Sequence, residues 1–162
     1  MVSLVPYDES FADSLAPFVI SFWNTHHSTF SLEQAKNTLK EWNQGEYHLF
    51  CIMYNNQPVG FLRTHNTSPT VCWVDDIYVD EPYRSKGIAT AAIRHTEEKM
   101  QAEGTKSFCM EVVPDNVAAM RLYHRLGYDR LSMVVIRKDS DDFETERIET
   151  IADLPFRVRH FD

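Results

Sequence analysis

Apolar residues recur along this chain with two periods, and the switches between them mark its elements. Residues 47–54 and 59–64 are apolar and β-prone, with the turn-like Asn55-Asn56-Gln57 between them, so they predict a hairpin. A long strand is predicted over 71–79, and further strands over 3–5, 106–113 and 131–137. Helical spacing predicts helices over 10–23, 87–102 and from Asn116 to Gly127. Another helix enters at Ser31-Leu-Glu-Gln34, a capping box, has apolar positions at Leu32, Ala35, Leu39 and Trp42, and is expected to stop at Gly45 as its C′ residue. The tail adds β-prone patches at 147–151 and 156–158, a last strand or an arm onto a partner. A meander joined to two crossovers implies a mixed sheet in an α/β (α+β) fold.

Composition narrows the class. The 162 residues suit one domain over 1–162, with 139–162 as an acidic C-terminal strand or arm. The formal net charge is −8, and no basic block offsets it, which argues against a nucleic-acid or anionic-membrane binder. No apolar run reaches the ~20 residues that cross a bilayer. The start lacks a basic n-region, so no signal peptide is expected. Cys51, Cys72 and Cys109 form no CxxC pair and suit a reducing compartment; the expected location is cytoplasmic. Neither histidines nor cysteines show metal-ligand spacing, and no metal is expected.

The strongest chemical signal lies where the long strand ends. Ile77-Tyr-Val79 leads through Pro82 to Arg84-Ser85-Lys86-Gly87-Ile88-Ala89 and a helix. A helix N-terminus offers unpaired N–H groups and a positive dipole end, and so holds phosphate oxygens. Gly87 lets backbone approach an anion closely. The segment is neither GxGxxG nor GxxxxGK[ST], so Rossmann and P-loop sites are disfavoured.

This segment resembles the acetyl-CoA signature Q/R-x-x-G-x-G/A of the GCN5-related N-acetyltransferase (GNAT) family. A second motif of that family, Asn then Tyr about seven residues on and Gly-aromatic after it, is similar to Asn116, Tyr123 and Gly127-Tyr128. The resemblance spans roughly residues 71–138. It implies a mostly antiparallel mixed sheet flanked by helices and splayed between strands 4 and 5, with the pantetheine arm of acetyl-CoA in the gap. Ile77, Tyr78 and Val79 would offer it backbone, Arg84, Ser85, Lys86, Gly87, Ile88 and Ala89 would cradle the pyrophosphate, and Asn116 would face the arm. Tyr123 would be the general acid that protonates the leaving thiolate.

The acceptor ammonium also needs a base. Asp75-Asp76 stands on the long strand, where ionised carboxylates are costly unless paired or solvated. Strand alternation sends the two to opposite faces, and only a bulge would change that. The stretch resembles diamine and polyamine acetyltransferases of the family, which implies Asp75 as base and Asp76 as amine ligand. Glu111 is the reserve base. Trp23 and His27 lie in the region that borders the acceptor pocket in the family.

The resulting expectation is an N-acetyltransferase acting on a small cationic amine, polyamine- or aminoglycoside-like. The alternatives are acetylation of a protein N-terminus or lysine, and a CoA-binding module without turnover. The strand-like tail fits a homodimer.

Overall fold

The computed structural model describes all residues except 26–27, 137, 139–145 and 160–162. They divide into two compact units, Met1–Glu111 and Val112–Asp162, each treated by itself.

The first unit is a five-stranded sheet in the order β1-β2-β3-β4-β5. These strands are Val2–Pro6, Tyr47–Tyr54, Gln57–Ser68, Val71–Val79 and Ser107–Met110. The first four run antiparallel to their neighbours, and β5 pairs parallel with β4, so the sheet is mixed. Helices α1 (Ala12–Asn24) and α2 (Leu32–Glu41) precede β2, and α3 (Ile88–Ala102) crosses from β4 to β5.

Alternation along β2 shows how the sheet separates two cores. Leu49 and Cys51 pack with Leu15, Val19 and Leu39 of α1 and α2. Phe50 and Ile52 pack on the other face with Ile88, Ala92 and Met100 of α3. Successive strand side chains point to opposite faces, so one apolar strand feeds both layers.

The β2–β3 turn is Asn55-Asn56, with φ of 50° and 63°. Two left-handed residues give the twist that a two-residue hairpin needs, and asparagine tolerates them. Residue 60 must be glycine for a different reason. A Cβ there would sit 2.0 Å from the Tyr78 carbonyl oxygen on β4.

The capping box of α2 is formed. Gln34 N–H donates to Ser31 Oγ at 3.2 Å, and Ser31 N–H donates to Gln34 Oε1 at 2.8 Å. The helix ends earlier than its pattern suggests. Its C-cap is Trp42, and Gly45, at φ 64°, serves the turn before β2 rather than the helix end. The Trp42 side chain nevertheless packs against the α1–α2 core, which is what its apolar spacing recorded.

In the second unit, α4 spans Val117–Leu126, and β6 (Glu146–Ile151) pairs with β7 (Leu154–Arg159) as an antiparallel hairpin. The two strand-like patches of the tail are therefore partners of each other. The strand predicted over 131–137 does not form: 131–136 has no regular secondary structure, and Arg137 lies outside the described residues. Leu131, Val135 and Ile136 are exposed, and among the described residues no strand pairs with them. β-propensity reflects burial on a sheet face, so an apolar run without such a face does not make a strand. The strand predicted over 106–113 is also shorter, because pairing with β4 supports only four residues.

Candidate active site

The sheet opens where its fourth and fifth strands part. β4 and β5 pair from Val71–Ser107 to Val74–Met110 and no further. Beyond Val74 the outer edge of β4 has no partner strand among the described residues, while its inner edge stays paired with β3 as far as Val79. Asp80 N–H donates to Val59 O on β3 at 2.8 Å. Alternate residues of an antiparallel strand turn their N–H and C=O the same way, so Ile77 and Val79 turn theirs to the open edge, where the Val79 carbonyl is already held by Arg84. Their side chains, and that of Tyr78, are structural. Ile77 and Val79 pack in the α3 core, and the Tyr78 ring stacks on Phe61 at 5.9 Å.

A short turn, Glu81–Tyr83, follows, then Arg84 to Gly87 and the start of α3. Ser85 and Gly87 both take positive φ, 61° and 74°. From Ser85 to Thr90 the backbone N–H groups donate to no described residue. Six successive free N–H groups at a helix N-terminus form an anion cradle. No side chain caps this helix, and its cap residue is Gly87.

The two basic side chains do not reach out from this turn. Arg84 Nε donates to the Val79 carbonyl at 2.9 Å, and its guanidinium lies 5.5 Å from the Tyr78 ring centroid. Lys86 Nζ donates to Pro82 O at 2.9 Å, over the Tyr83 ring. Both brace the turn from within, so the cradle itself is backbone.

Asp75 and Asp76 lie where β4 changes phase. Arg63 of β3 faces Asp76, and Thr64 faces Val74, which leaves Asp75 as the extra residue of a bulge. Core membership shows the same shift. Cys72 and Val74 pack on the α3 side, and so do Ile77 and Val79, although an unbroken period of two would separate those pairs. The expectation that the acids point to opposite faces is thereby corrected. Both turn to the α1–α2 side, because the inserted residue resets the alternation between them.

On that face both carboxylates have partners. Asp76 Oδ2 accepts from Arg63 Nε at 2.7 Å and lies 2.7 Å from Nη2. The Arg63 guanidinium also lies 5.1 Å from the Trp42 ring centroid and 5.0 Å from that of Tyr47. Asp75 holds His65 Nδ1 at 2.8 and 2.9 Å through its two oxygens. His65 in turn lies between the rings of Tyr47, at 5.1 Å, and Trp73, at 6.3 Å. The result is an acid pair in an aromatic wall that already accepts a cation.

Trp23 ends α1 in the same aromatic layer, stacked on Phe30 at 5.3 Å and near Trp42 at 6.3 Å. His27 lies outside the described residues. Glu111 is exposed, one residue past the end of β5.

Asn116 and Tyr123 belong to the second unit. Ala119 N–H donates to Asn116 Oδ1 at 3.1 Å, so the asparagine caps α4. Tyr123 is half-buried on that helix, edge-on to Tyr128 at 6.3 Å. Burial pushes the Cys51 thiol up to about 12 and the Cys72 thiol to about 11, which leaves both unreactive. Cys109 is half-buried on β5 opposite Trp73. Among the described residues no group of three His, Cys, Asp or Glu could hold a metal, and no helix is long and apolar enough to cross a membrane.

Three residues of this face, Tyr47, Arg63 and His65, were not singled out from sequence, and Trp42 only as an apolar position of the helix pattern. Arg63 and His65 stand two apart on β3, the spacing of one strand face. Only the cross-strand register places them opposite the acids.

A mixed sheet parted after four parallel-paired residues, with free N–H groups at the end of the parting strand, is the architecture that the resemblance to acetyltransferases implies. Residues 13–128 match the model of the Acetyltransferase (GNAT) family. The chain belongs to that family. It is 28% identical over 92 residues to the [Ribosomal protein bS18]-alanine N-acetyltransferase of Escherichia coli K12, covering 56% of this chain and 62% of the relative. The match thus spans about three fifths of that relative's length. Among solved structures, a probable acetyltransferase superposes with a TM-score of 0.74 at 17% identity, covering 86% of this chain and 99% of the other. An aminoglycoside acetyltransferase from an uncultured soil metagenomic sample, in complex with sisomicin, gives 0.66 at 15%, covering 87% and 97%. At these identities the structures support the fold.

Proposed function

We propose that this protein transfers an acetyl group from acetyl-CoA directly to a primary amine, and that the acceptor is a small cationic amine, polyamine- or aminoglycoside-like. The observation that carries this reading is the continuity of β4. One strand bears the open edge at Ile77 and Val79, the cradle from Arg84 to Ala89 just beyond it, and the acid pair just before it.

The residues fit acetyl-CoA by their chemistry. The free N–H groups from Ser85 to Thr90 would take the pyrophosphate, with Arg84 and Lys86 stiffening the turn. The open edge would bond the pantetheine amides as an added strand, and the Val79 N–H would polarise the thioester carbonyl. Asn116 would face the same arm with its amide N–H₂, its oxygen being engaged as the cap. Asp76, Trp23 and His27 would serve the acceptor. The aromatic wall supports a cationic one, because Trp42 and Tyr47 already flank a guanidinium.

The acceptor ammonium must lose a proton before its nitrogen can attack, and Asp75 is the base in this reading, with Glu111 in reserve. Tyr123 would donate to the departing sulfur. A phenol of pKa ~10 is the weaker acid by only ~1.5 units against a thiol of ~8.5, a small barrier within hydrogen-bond reach.

The test is release of coenzyme A from acetyl-CoA with spermidine, sisomicin or a peptide bearing an N-terminal alanine. Turnover of the first two and not the peptide is expected. Tyr123→Phe should lower kcat about 10²-fold or more. An unchanged kcat across the whole pH range would remove Tyr123 from the mechanism.

A second reading, acetylation of a protein N-terminus, is favoured by the similarity to the ribosomal-protein alanine N-acetyltransferase of E. coli. Mass spectrometry showing acetylated peptide without acetylated spermidine or sisomicin would establish it. Tight acetyl-CoA binding without transfer to any of the three would indicate a binding module.

A further inference from the structure

We infer that His65 is the group that takes the acceptor's proton and that Asp75 positions it, an inference that rests on the acetyl-transfer reading above and replaces Asp75 as the base within it. The two Asp75 oxygens lie 2.8 and 2.9 Å from a single atom, His65 Nδ1. A carboxylate only accepts, so the proton of this contact sits on His65 Nδ1, and whenever the ring is neutral its lone pair lies on Nε2. His65 Nε2 has no hydrogen-bond partner among the described residues, and 20% of the side chain is exposed. The nitrogen that can act as a base is therefore the one left unengaged, while the carboxylate already holds a proton donor.

The position suits the role. Asp75 is the bulged residue immediately past Val74, the last residue of β4 paired with β5, so the dyad stands where the edge opens. The ring is held between Tyr47 of β2 and Trp73 of β4. The groups that face it are the Asp75 carboxylate and the Tyr47 phenol, with the Arg63–Asp76 pair two residues along β3. Arg63 and Asp76 cancel each other's charge. That leaves the Asp75 carboxylate as the uncompensated charge in contact with the ring.

The step balances as follows. An acceptor N–H bond breaks, an Nε2–H bond forms, and the positive charge passes to the imidazolium beside Asp75. The freed amine bonds to the thioester carbonyl carbon, and the C–S bond breaks. The second proton lost by the nitrogen replaces the one donated to sulfur, and the imidazolium returns its own proton to solvent.

Two measurements test this on the full chain. The first, nitrogen-15 NMR of labelled imidazoles at alkaline pH, needs no acceptor. The Nδ1–H tautomer of His65 is expected, shifting toward Nε2–H in Asp75→Asn; a wild-type Nε2–H tautomer overturns the inference. The second is kinetics with acetyl-CoA and whichever of spermidine, sisomicin and the alanine peptide turns over. His65→Gln should lower kcat about 10²–10³-fold with little change in acetyl-CoA affinity. Adding Asp75→Asn should lower it no further, since the two act as a unit. Added imidazole should partly restore His65→Ala. If His65→Gln keeps kcat within threefold while Asp75→Asn abolishes it, Asp75 is the base and the inference falls alone. If wild type neither binds acetyl-CoA nor releases coenzyme A, the acetyl-transfer reading falls and takes the inference with it.

Discussion

Arg63 and Asp76 meet across β3 and β4 with 2.7 Å between guanidinium and carboxylate, and both side chains are more than four-fifths buried. The guanidinium is also flanked by Trp42 and Tyr47. A pair held this way loses much when one member is removed, because the other stays buried and uncompensated. Arg63→Ala should therefore destabilise the fold by about 2–4 kcal/mol, read as a shift in the urea midpoint. The double change Arg63→Met with Asp76→Leu should cost less than the single one. Equal losses in the two proteins would show that the ion pair contributes nothing beyond packing. Arg63→Lys should recover only part, since an ammonium lacks the planar fork that stacks and bonds at once.

A methyl group at residue 60 should be more damaging than its size suggests. Its nearest neighbour would be the backbone oxygen of Tyr78, which cannot swing aside as a flexible side chain would. The strands must separate where β4 supplies the open edge. Gly60→Ala should cost on the order of 3 kcal/mol and lower the thermal midpoint by several degrees. A variant within one degree of wild type would mean that β3 and β4 relax apart freely.

Alkaline pH should weaken the fold through groups that take no part in the proposed transfer. Burial raises the Cys51 thiol to about 12, the Cys72 thiol to about 11, and the Tyr7 phenol above its usual 10. In the unfolded chain thiols ionise near pH ~8.5. Groups raised on folding stabilise fully below their unfolded pKa, and that contribution is lost as pH rises toward the folded value. Stability should thus fall from about pH 8.5 and go on falling to about 11 and 12, as the two thiols ionise in the folded protein. Denaturant midpoints measured from pH 8 to 11 check the slope. The combined change Cys51→Ala and Cys72→Ala should flatten it, whatever it does to the starting level. An equally steep decline in that variant would assign the effect elsewhere.

The elements that could be foreseen in the sequence are those whose cause is local. Ser31 and Gln34 announce the start of α2, Asn116 and Gly127 bracket α4, and Asn55-Asn56 turns the β2–β3 hairpin. The boundaries of β4, Val71 and Val79, follow from its run of β-prone residues between two turns. The turn from β4 into α3 was readable too, because strand, Pro turn and Gly87 occur in one stretch. What was not readable depends on partners distant in sequence. Nothing near residues 131–136 says that an apolar run will lack a pairing strand. Nothing near Asp75 says that Thr64 will face Val74, and so His65 and Arg63 were missed although they touch the two acids that sequence singled out. Trp42 was read as an apolar position of α2, without sign that its face would carry a cation.

The bulge at Asp75 has a consequence for how this strand can change over time. It acts like an inserted letter in a text read two letters at a time: upstream and downstream are each in frame, but not with each other. Any side chain on either half can be exchanged and keep its face. Losing the one residue is different. It would turn Ile77 and Val79 from the α3 core to the opposite layer and bring Tyr78 out of its stack on Phe61. Length in this stretch is thus held by the register of the whole strand, whereas each side chain is held only by its own partners.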